Sequence, residues 1–184
     1  MKTRSLPLAA MAVALSLCAA IAPASAALKK GAQAPVFSTM GALAGKEFRF
    51  DLAEALKKGP VVLYFYPKAF TSGCTQEAHA FASAINDFKA AGASVVGMSN
   101  DDIETLKRFS TEACRDAFPV ARANPGLVRA YDVALNRPGM PAGLTDRTSY
   151  VIGRNGKIVM VHSDLDWREH VAKTLAAVRA LKGK

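Results

Sequence analysis

Cysteine is scarce in this chain: 184 residues hold three, Cys18, Cys74 and Cys114. That count excludes a disulfide-stapled scaffold, which packs cysteine densely into a short chain. The three histidines, His79, His162 and His170, share no spacing that suits a metal centre, so neither a metal nor a cofactor is expected. Acidic residues are also few, 15 against 24 Lys and Arg, which gives a formal charge of +9. The basic excess is scattered through Lys29-Lys30, Lys57-Lys58, Lys107-Arg108 and the Lys182/Lys184 tail. It forms no long run and no basic–aromatic interleaving, which argues against nucleic acid as a partner. After the first residues, no apolar run approaches the ~20 residues that span a bilayer. Internal repeats and low-complexity tracts are absent as well.

What is present begins with the N-terminus. Lys2 and Arg4 precede an apolar run from Leu8 to Ile21, and Ala24-Ser25-Ala26 follows as a small-residue cleavage pattern. This predicts a secretory signal peptide over residues 1–26, cut after Ala26. An uncleaved anchor is the other reading, because Ser5 to Leu28 carries no charge. Cleavage removes Cys18 and leaves residues 27–184 as one exported domain, periplasmic, with no stable membrane association. Cys74 and Cys114 then remain, and a cysteine pair in an exported protein ordinarily reads as a structural disulfide.

Along the domain, Val61–Tyr66 is a continuous apolar run of β-branched and aromatic residues, as in a strand buried on both faces. From Thr75 to Ala91 the apolar residues recur at helical spacing, and Gly92 stops the helix. Ser94–Ser99 predicts a second buried strand. Asp101 with Glu104 reads as a capping box that opens a helix running to Ala113 or Cys114. A short strand over Phe118–Ala121 and a short helix over Gly126–Tyr131 follow. Thr148–Gly153 and Lys157–His162 flank Arg154-Asn155-Gly156, a hairpin turn. Asp166 to Leu181 predicts a closing amphipathic helix with Val171, Leu175, Val178 and Leu181 inward. The order implies an α/β thioredoxin-like fold, a central mixed sheet flanked by helices.

The stretch Pro67-Lys68-Ala69-Phe70-Thr71-Ser72-Gly73-Cys74-Thr75-Gln76-Glu77 joins the first buried strand to the helix, where open α/β sheets place their ligands. Cys74 falls in the first helical turn, whose free N–H groups and dipole favour a thiolate. Pro67 turns the chain out of the strand, and Thr71 is spaced to return its hydroxyl to the sulfur. A Cys-x-x-Cys oxidoreductase motif is excluded, because Thr71 and Glu77 occupy the positions three residues either side.

The pattern Pro67-x-x-x-Thr71-x-x-Cys74-x-x-Glu77, preceded by Tyr64-Phe65-Tyr66, resembles the active-site signature of the peroxiredoxins. The nearest subgroup is the bacterioferritin-comigratory, or Q-type, peroxiredoxins. The likeness runs from Gly31-x-x-Ala34-Pro35-x-Phe37 to the last helix, and Arg147-Thr148-Ser149-Tyr150-Val151-Ile152 resembles the segment carrying the family arginine. The resemblance implies a peroxidase in which Cys74 attacks a hydroperoxide. Thr71 and Arg147 orient the substrate, Pro67 shields the pocket, and Glu77 positions the loop or Arg147. It also implies a thioredoxin-like protein reductant and a monomer or weak dimer.

The chain departs from the subgroup in one respect. His79 stands where many members carry a resolving cysteine, five residues after Cys74. Cys114, 40 residues after Cys74, is the remaining candidate for that role. The alternatives are an inert, buried Cys114, a non-catalytic domain with a permanent Cys74–Cys114 disulfide, or a thiol-disulfide oxidoreductase.

Overall fold

A computed structural model describes residues 27–182, which fold around one seven-stranded mixed sheet. The expected signal segment, with Cys18, lies outside the described residues. The chain opens with a hairpin, β1 (Ser38–Leu43) and β2 (Lys46–Asp51), and a short helix, α1 (Leu52–Lys58). Then come β3 (Val61–Phe65), α2 (Ser72–Ala90), β4 (Ser94–Ser99), α3 (Ile103–Glu112), β5 (Val120–Arg122) and α4 (Pro125–Ala130). The chain closes with β6 (Thr148–Ile152), β7 (Ile158–Ser163), a 3₁₀ turn (Trp167–Glu169) and α5 (His170–Lys182).

Across the sheet the order is β2-β1-β5-β4-β3-β6-β7. Strand β3 pairs parallel with β4 and antiparallel with β6, and all five of its residues are buried. Its side chains alternate between two cores. Val62 and Tyr64 face the cluster built with α2, α3 and α5, whereas Val61, Leu63 and Phe65 face the cluster built with α1 and α4. The apolar run expected of a doubly covered strand is therefore accounted for by helices on both faces.

Three readings of local structure are corrected. The hairpin β1–β2 and helix α1 had no counterpart in the sequence reading. The hairpin turn is Ala44-Gly45, with φ of 50° and 72°, and alanine is a poor marker of a turn that needs positive φ. The capping residue of α3 is Asp102, which accepts from the Thr105 N–H at 2.8 Å, and not Asp101. The buried stripe of α5 is His170, Thr174 and Val178, with Val171, Leu175 and Leu181 at its flanks. Two polar residues sit inward because each is satisfied there: Thr174 donates to the His170 carbonyl at 2.7 Å, and His170 is bonded on both ring nitrogens.

Candidate active site

Strand β3 ends at Phe65, and the loop 66–71 carries the chain over the sheet edge to α2. Several bonds fix that loop. Thr145 donates its hydroxyl to the Tyr66 carbonyl at 2.6 Å, and the Ala69 N–H donates to Asp101 Oδ2 at 2.8 Å. The same carboxylate oxygen accepts from Ser99 at 2.8 Å. Asp101 is thus a loop anchor at the end of β4. Phe70 holds a left-handed φ of 63°, uncommon for a bulky residue, and its ring meets Phe109 of α3 edge-on at 5.2 Å.

Cys74 lies in the first turn of α2 and is only 1% exposed. Arg147, just before β6, reaches it with Nη2 at 3.5 Å from Sγ. The guanidinium is held by two further groups. Its Nε donates to the Leu165 carbonyl at 2.9 Å, and Nη1 donates to Glu77 Oε2 in a buried ion pair. A Cβ at Gly73 would lie in ordinary van der Waals contact, 3.4 Å from Arg147 Nη2 and 3.7 Å from the Trp167 ring. Pro67 is half-buried at the start of the loop.

The Thr71 hydroxyl is not directed at the sulfur. It donates to the Lys68 carbonyl at 3.0 Å, and Thr71 serves as the N-cap residue of α2 without a side-chain cap bond. The short loop bond captures the hydroxyl. Glu77 touches Arg147 and not the sulfur, so it stands behind the arginine. Cys114 was read as the candidate resolving cysteine, with a buried residue as the alternative. It is fully buried after α3, with its N–H bonded to the Phe109 carbonyl at 3.0 Å. Arg115 and Asp116 after it adopt left-handed φ of 53° and 57°, and these turns fold the sulfur back into the core. Cys74 and Cys114 are both free thiols within the cluster that contains Tyr64 and Tyr66.

The electrostatics divide these groups. Burial pushes the Cys114 thiol far above its ordinary range, with Asp116 adding to the shift, so the folded core does not hold it as a thiolate. Burial raises the Glu77 carboxyl to about 8, against an opposing pull from Arg147. Burial of Arg147 works against its charge, but Glu77 and Cys74 more than offset this, and its pKa rises. His170, behind Glu77, is lowered by burial to about 4. A histidine depressed in the fold stabilises it above the unfolded value of 6.5, and that stability is lost as pH falls toward 4. Urea unfolding should therefore show a loss on the order of 2 kcal/mol between those limits, largely absent in His170→Gln. An equal loss in both proteins would assign the acid sensitivity elsewhere.

Among the described residues no group of three or more His, Cys, Asp or Glu side chains is placed to hold a metal. The chemistry available is that of a buried thiol beside a fixed cation. The comparisons match that chemistry. Residues 30–161 fit the model of the AhpC/TSA family. The chain belongs to the AhpC/TSA family. Within it, the likeness is to Q-type peroxiredoxins. Peroxiredoxin Q of Sedum lineare chloroplasts is 33% identical over 158 residues, 85% of this chain and 81% of that protein. The crystal structure of peroxidoxin BcpB from Mycobacterium tuberculosis superposes with a TM-score of 0.74 at 31% identity, covering 84% of this chain and 98% of that one. Peroxiredoxin Q of Xanthomonas campestris superposes with a TM-score of 0.67 at 29% identity, covering 78% and 90%. This peroxiredoxin is a thiol-dependent peroxidase on a thioredoxin-like fold. The reading as a thiol-disulfide oxidoreductase or a non-catalytic disulfide-bonded domain is not favoured.

Sequence reasoning missed Asp101, Ser149 and His170 as parts of the site. His170 had a readable signal, since its spacing to Thr174 and Val178 places it on an inward helical stripe. Asp101 gave none, because only the folded loop brings the Ala69 N–H to it.

Proposed function

We propose that Cys74 is the peroxide-attacking residue and that Arg147 is the group that makes it one. The observation that carries this is the guanidinium fixed between Glu77 and Cys74 Sγ, with its charge on a nearly enclosed sulfur. The Cys74 thiolate attacks a hydroperoxide oxygen; an S–O bond forms, the O–O bond breaks, and the departing alkoxide or hydroxide takes a proton to leave as alcohol or water. Arg147 stabilises both the sulfur anion and the charge growing on the departing oxygen. Cys74 is left as a sulfenic acid. Pro67 narrows the pocket, and Thr71 meets the peroxide once its hydroxyl leaves the Lys68 carbonyl.

Cys114 then resolves the sulfenic acid, forming a Cys74–Cys114 disulfide and releasing water. Its burial requires the turn over residues 113–117 and the first turn of α2 to open first. The two left-handed residues in that turn favour opening, because they are relieved by it. A thioredoxin-type dithiol protein reduces the disulfide and completes the cycle. The Lys2/Arg4, apolar-run and Ala24-Ser25-Ala26 pattern supports export with cleavage after Ala26. On this reading the protein works as a periplasmic monomer or weak dimer.

Hydrogen peroxide consumption by the full chain, with dithiothreitol as the recycling dithiol, tests the cycle. Turnover beyond one peroxide per chain is expected. Consumption that stops after a single equivalent, with dithiothreitol present, would contradict the recycling step.

A further inference from the structure

The loop that carries Cys74 and the helix end that carries Cys114 are joined by contacts to which the peroxide chemistry above gives no role. Asp101, between β4 and α3, accepts the Ala69 N–H and the Ser99 hydroxyl on one oxygen, Oδ2, each at 2.8 Å. Ala69 is buried, so that loop bond is shielded from water. One residue on, the Phe70 ring meets Phe109 of α3 edge-on at 5.2 Å, and the Arg108 guanidinium lies 5.1 Å from the Phe70 centroid. Tyr66, at the start of the loop, stacks on Phe109 at 5.2 Å with 25° between the planes. Phe109 is itself fully buried, and its carbonyl accepts the N–H groups of both Ala113 and Cys114 at 3.0 Å. One residue of α3 therefore touches the Cys74 loop through its ring and the Cys114 backbone through its carbonyl.

Both joined segments contain backbone that L-residues rarely adopt. Phe70 has a φ of 63°, and Arg115 and Asp116, directly after Cys114, have 53° and 57°. A non-glycine residue keeps a left-handed φ only where its surroundings impose it. For Phe70 those surroundings are the Asp101 bond to the residue before it and the Phe109 and Arg108 contacts to its ring. Asp102, the next residue, is bonded differently: it is exposed, and it caps α3 by accepting the Thr105 N–H at 2.8 Å.

Resting on the disulfide step proposed above, we propose that these contacts form one clasp, fastened by Asp101, that holds Cys74 and Cys114 closed together. Asp101 is a positioning residue: it touches neither sulfur nor peroxide and acts through Ala69. While the Ala69 bond is made, the Cys74 loop stays against α3 and Cys114 stays in the core. When it breaks, Phe70 leaves Phe109 and its backbone relaxes. The turn after α3 then loses the packing that keeps the Phe109 carbonyl in place. The two buried sulfurs are released in one event, as disulfide formation requires. Asp101 thus sets the rate of resolution, and with it how long the sulfenic acid stands open to a second peroxide.

The first test needs no peroxide. In the reduced full chain carrying Cys74→Ser, the rate of Cys114 alkylation by iodoacetamide reports how often that sulfur is released. Adding Asp101→Ala should raise the rate about tenfold, the scale of one lost hydrogen bond to a charged group. Asp101→Asn keeps an oxygen for the Ala69 N–H and should raise it less. Asp102→Ala removes the cap of α3 but no bond to the loop, and should leave the rate near that of Cys74→Ser alone. Below the unfolding transition the Asp101→Ala rate should hardly depend on urea, as befits a local opening. An unchanged rate in Asp101→Ala, an equal rise in Asp102→Ala, or a rise that follows global unfolding in urea overturns the proposal. With both cysteines present, one equivalent of hydrogen peroxide should give the disulfide faster in Asp101→Ala, and excess peroxide should give less sulfinic acid. Faster alkylation with no disulfide in any variant supports the clasp and overturns the resolving role of Cys114.

Discussion

Arg147→Met is expected to slow Cys74 oxidation by about 10²–10³-fold, the scale seen when one fixed donor to a developing anion is removed. The same change should cost about 1–3 kcal/mol of stability, because it leaves the buried Glu77 carboxyl without its hydrogen-bond donor. The two effects have separate causes and can be separated. Arg147 contacts Glu77 through Nη1 and the sulfur through Nη2, so on the proposed mechanism one side chain serves the fold and the chemistry at once. In the double variant with Glu77→Leu, the unpaired buried polar group is gone. Stability should then recover most of the loss in urea unfolding, whereas the rate measured by stopped flow should stay low. Recovery of the rate along with stability would show that Arg147 acts only by holding the fold.

Cys74→Ser and Cys114→Ser should fail in different ways. Cys74→Ser is expected to end peroxide consumption, since a serine hydroxyl does not form the nucleophilic anion at neutral pH. Cys114→Ser should still form the Cys74 sulfenic acid but has no internal thiol to condense with it. The sulfenic acid then persists, and with excess peroxide it climbs to the sulfinic acid, which a dithiol does not reduce. Chain-mapped mass spectrometry distinguishes these products. Sulfinic acid at Cys74 appearing no faster in Cys114→Ser than in the unaltered protein would remove Cys114 from the cycle. The burial of Cys114 makes this a sharp test, because the folded conformation keeps that sulfur away from solvent and from thiolate form.

How far the sequence carried this account depends on where each signal resides. The strand β3 was legible because five consecutive buried residues leave a continuous apolar run. The strand-to-helix placement of Cys74 was legible because the run, the loop and the helical period follow one another along the chain. Arg147 was named from its resemblance to the family segment; 73 residues separate it from the sulfur it contacts, so no local pattern could show that contact. Three features were left open by the sequence for the same reason. Glu77 was expected, from the family resemblance alone, to position the loop or Arg147, and only the fold shows that it is Arg147 it holds. Thr71 had the spacing to reach the sulfur, but the nearer Lys68 carbonyl takes its hydroxyl. Cys114 stood at a helix end, where exposure is the usual outcome, yet the turns through Arg115 and Asp116 fold it inward. The β1–β2 hairpin escaped notice because its sheet partners are β5 residues far along the chain. Its Gly41 sits where a Cβ would lie 2.7 Å from the Val120 carbonyl, a close approach that only the folded sheet reveals.

The central claim is that Cys74 is oxidised by peroxide and resolved by Cys114. The most direct measurement is peptide-mapped mass spectrometry of the reduced full chain after one equivalent of hydrogen peroxide. The account predicts a Cys74–Cys114 disulfide, seen as the two peptides joined with the loss of two hydrogens and restored by a dithiol. Both peptides recovered as free thiols, with the peroxide unconsumed, would contradict it.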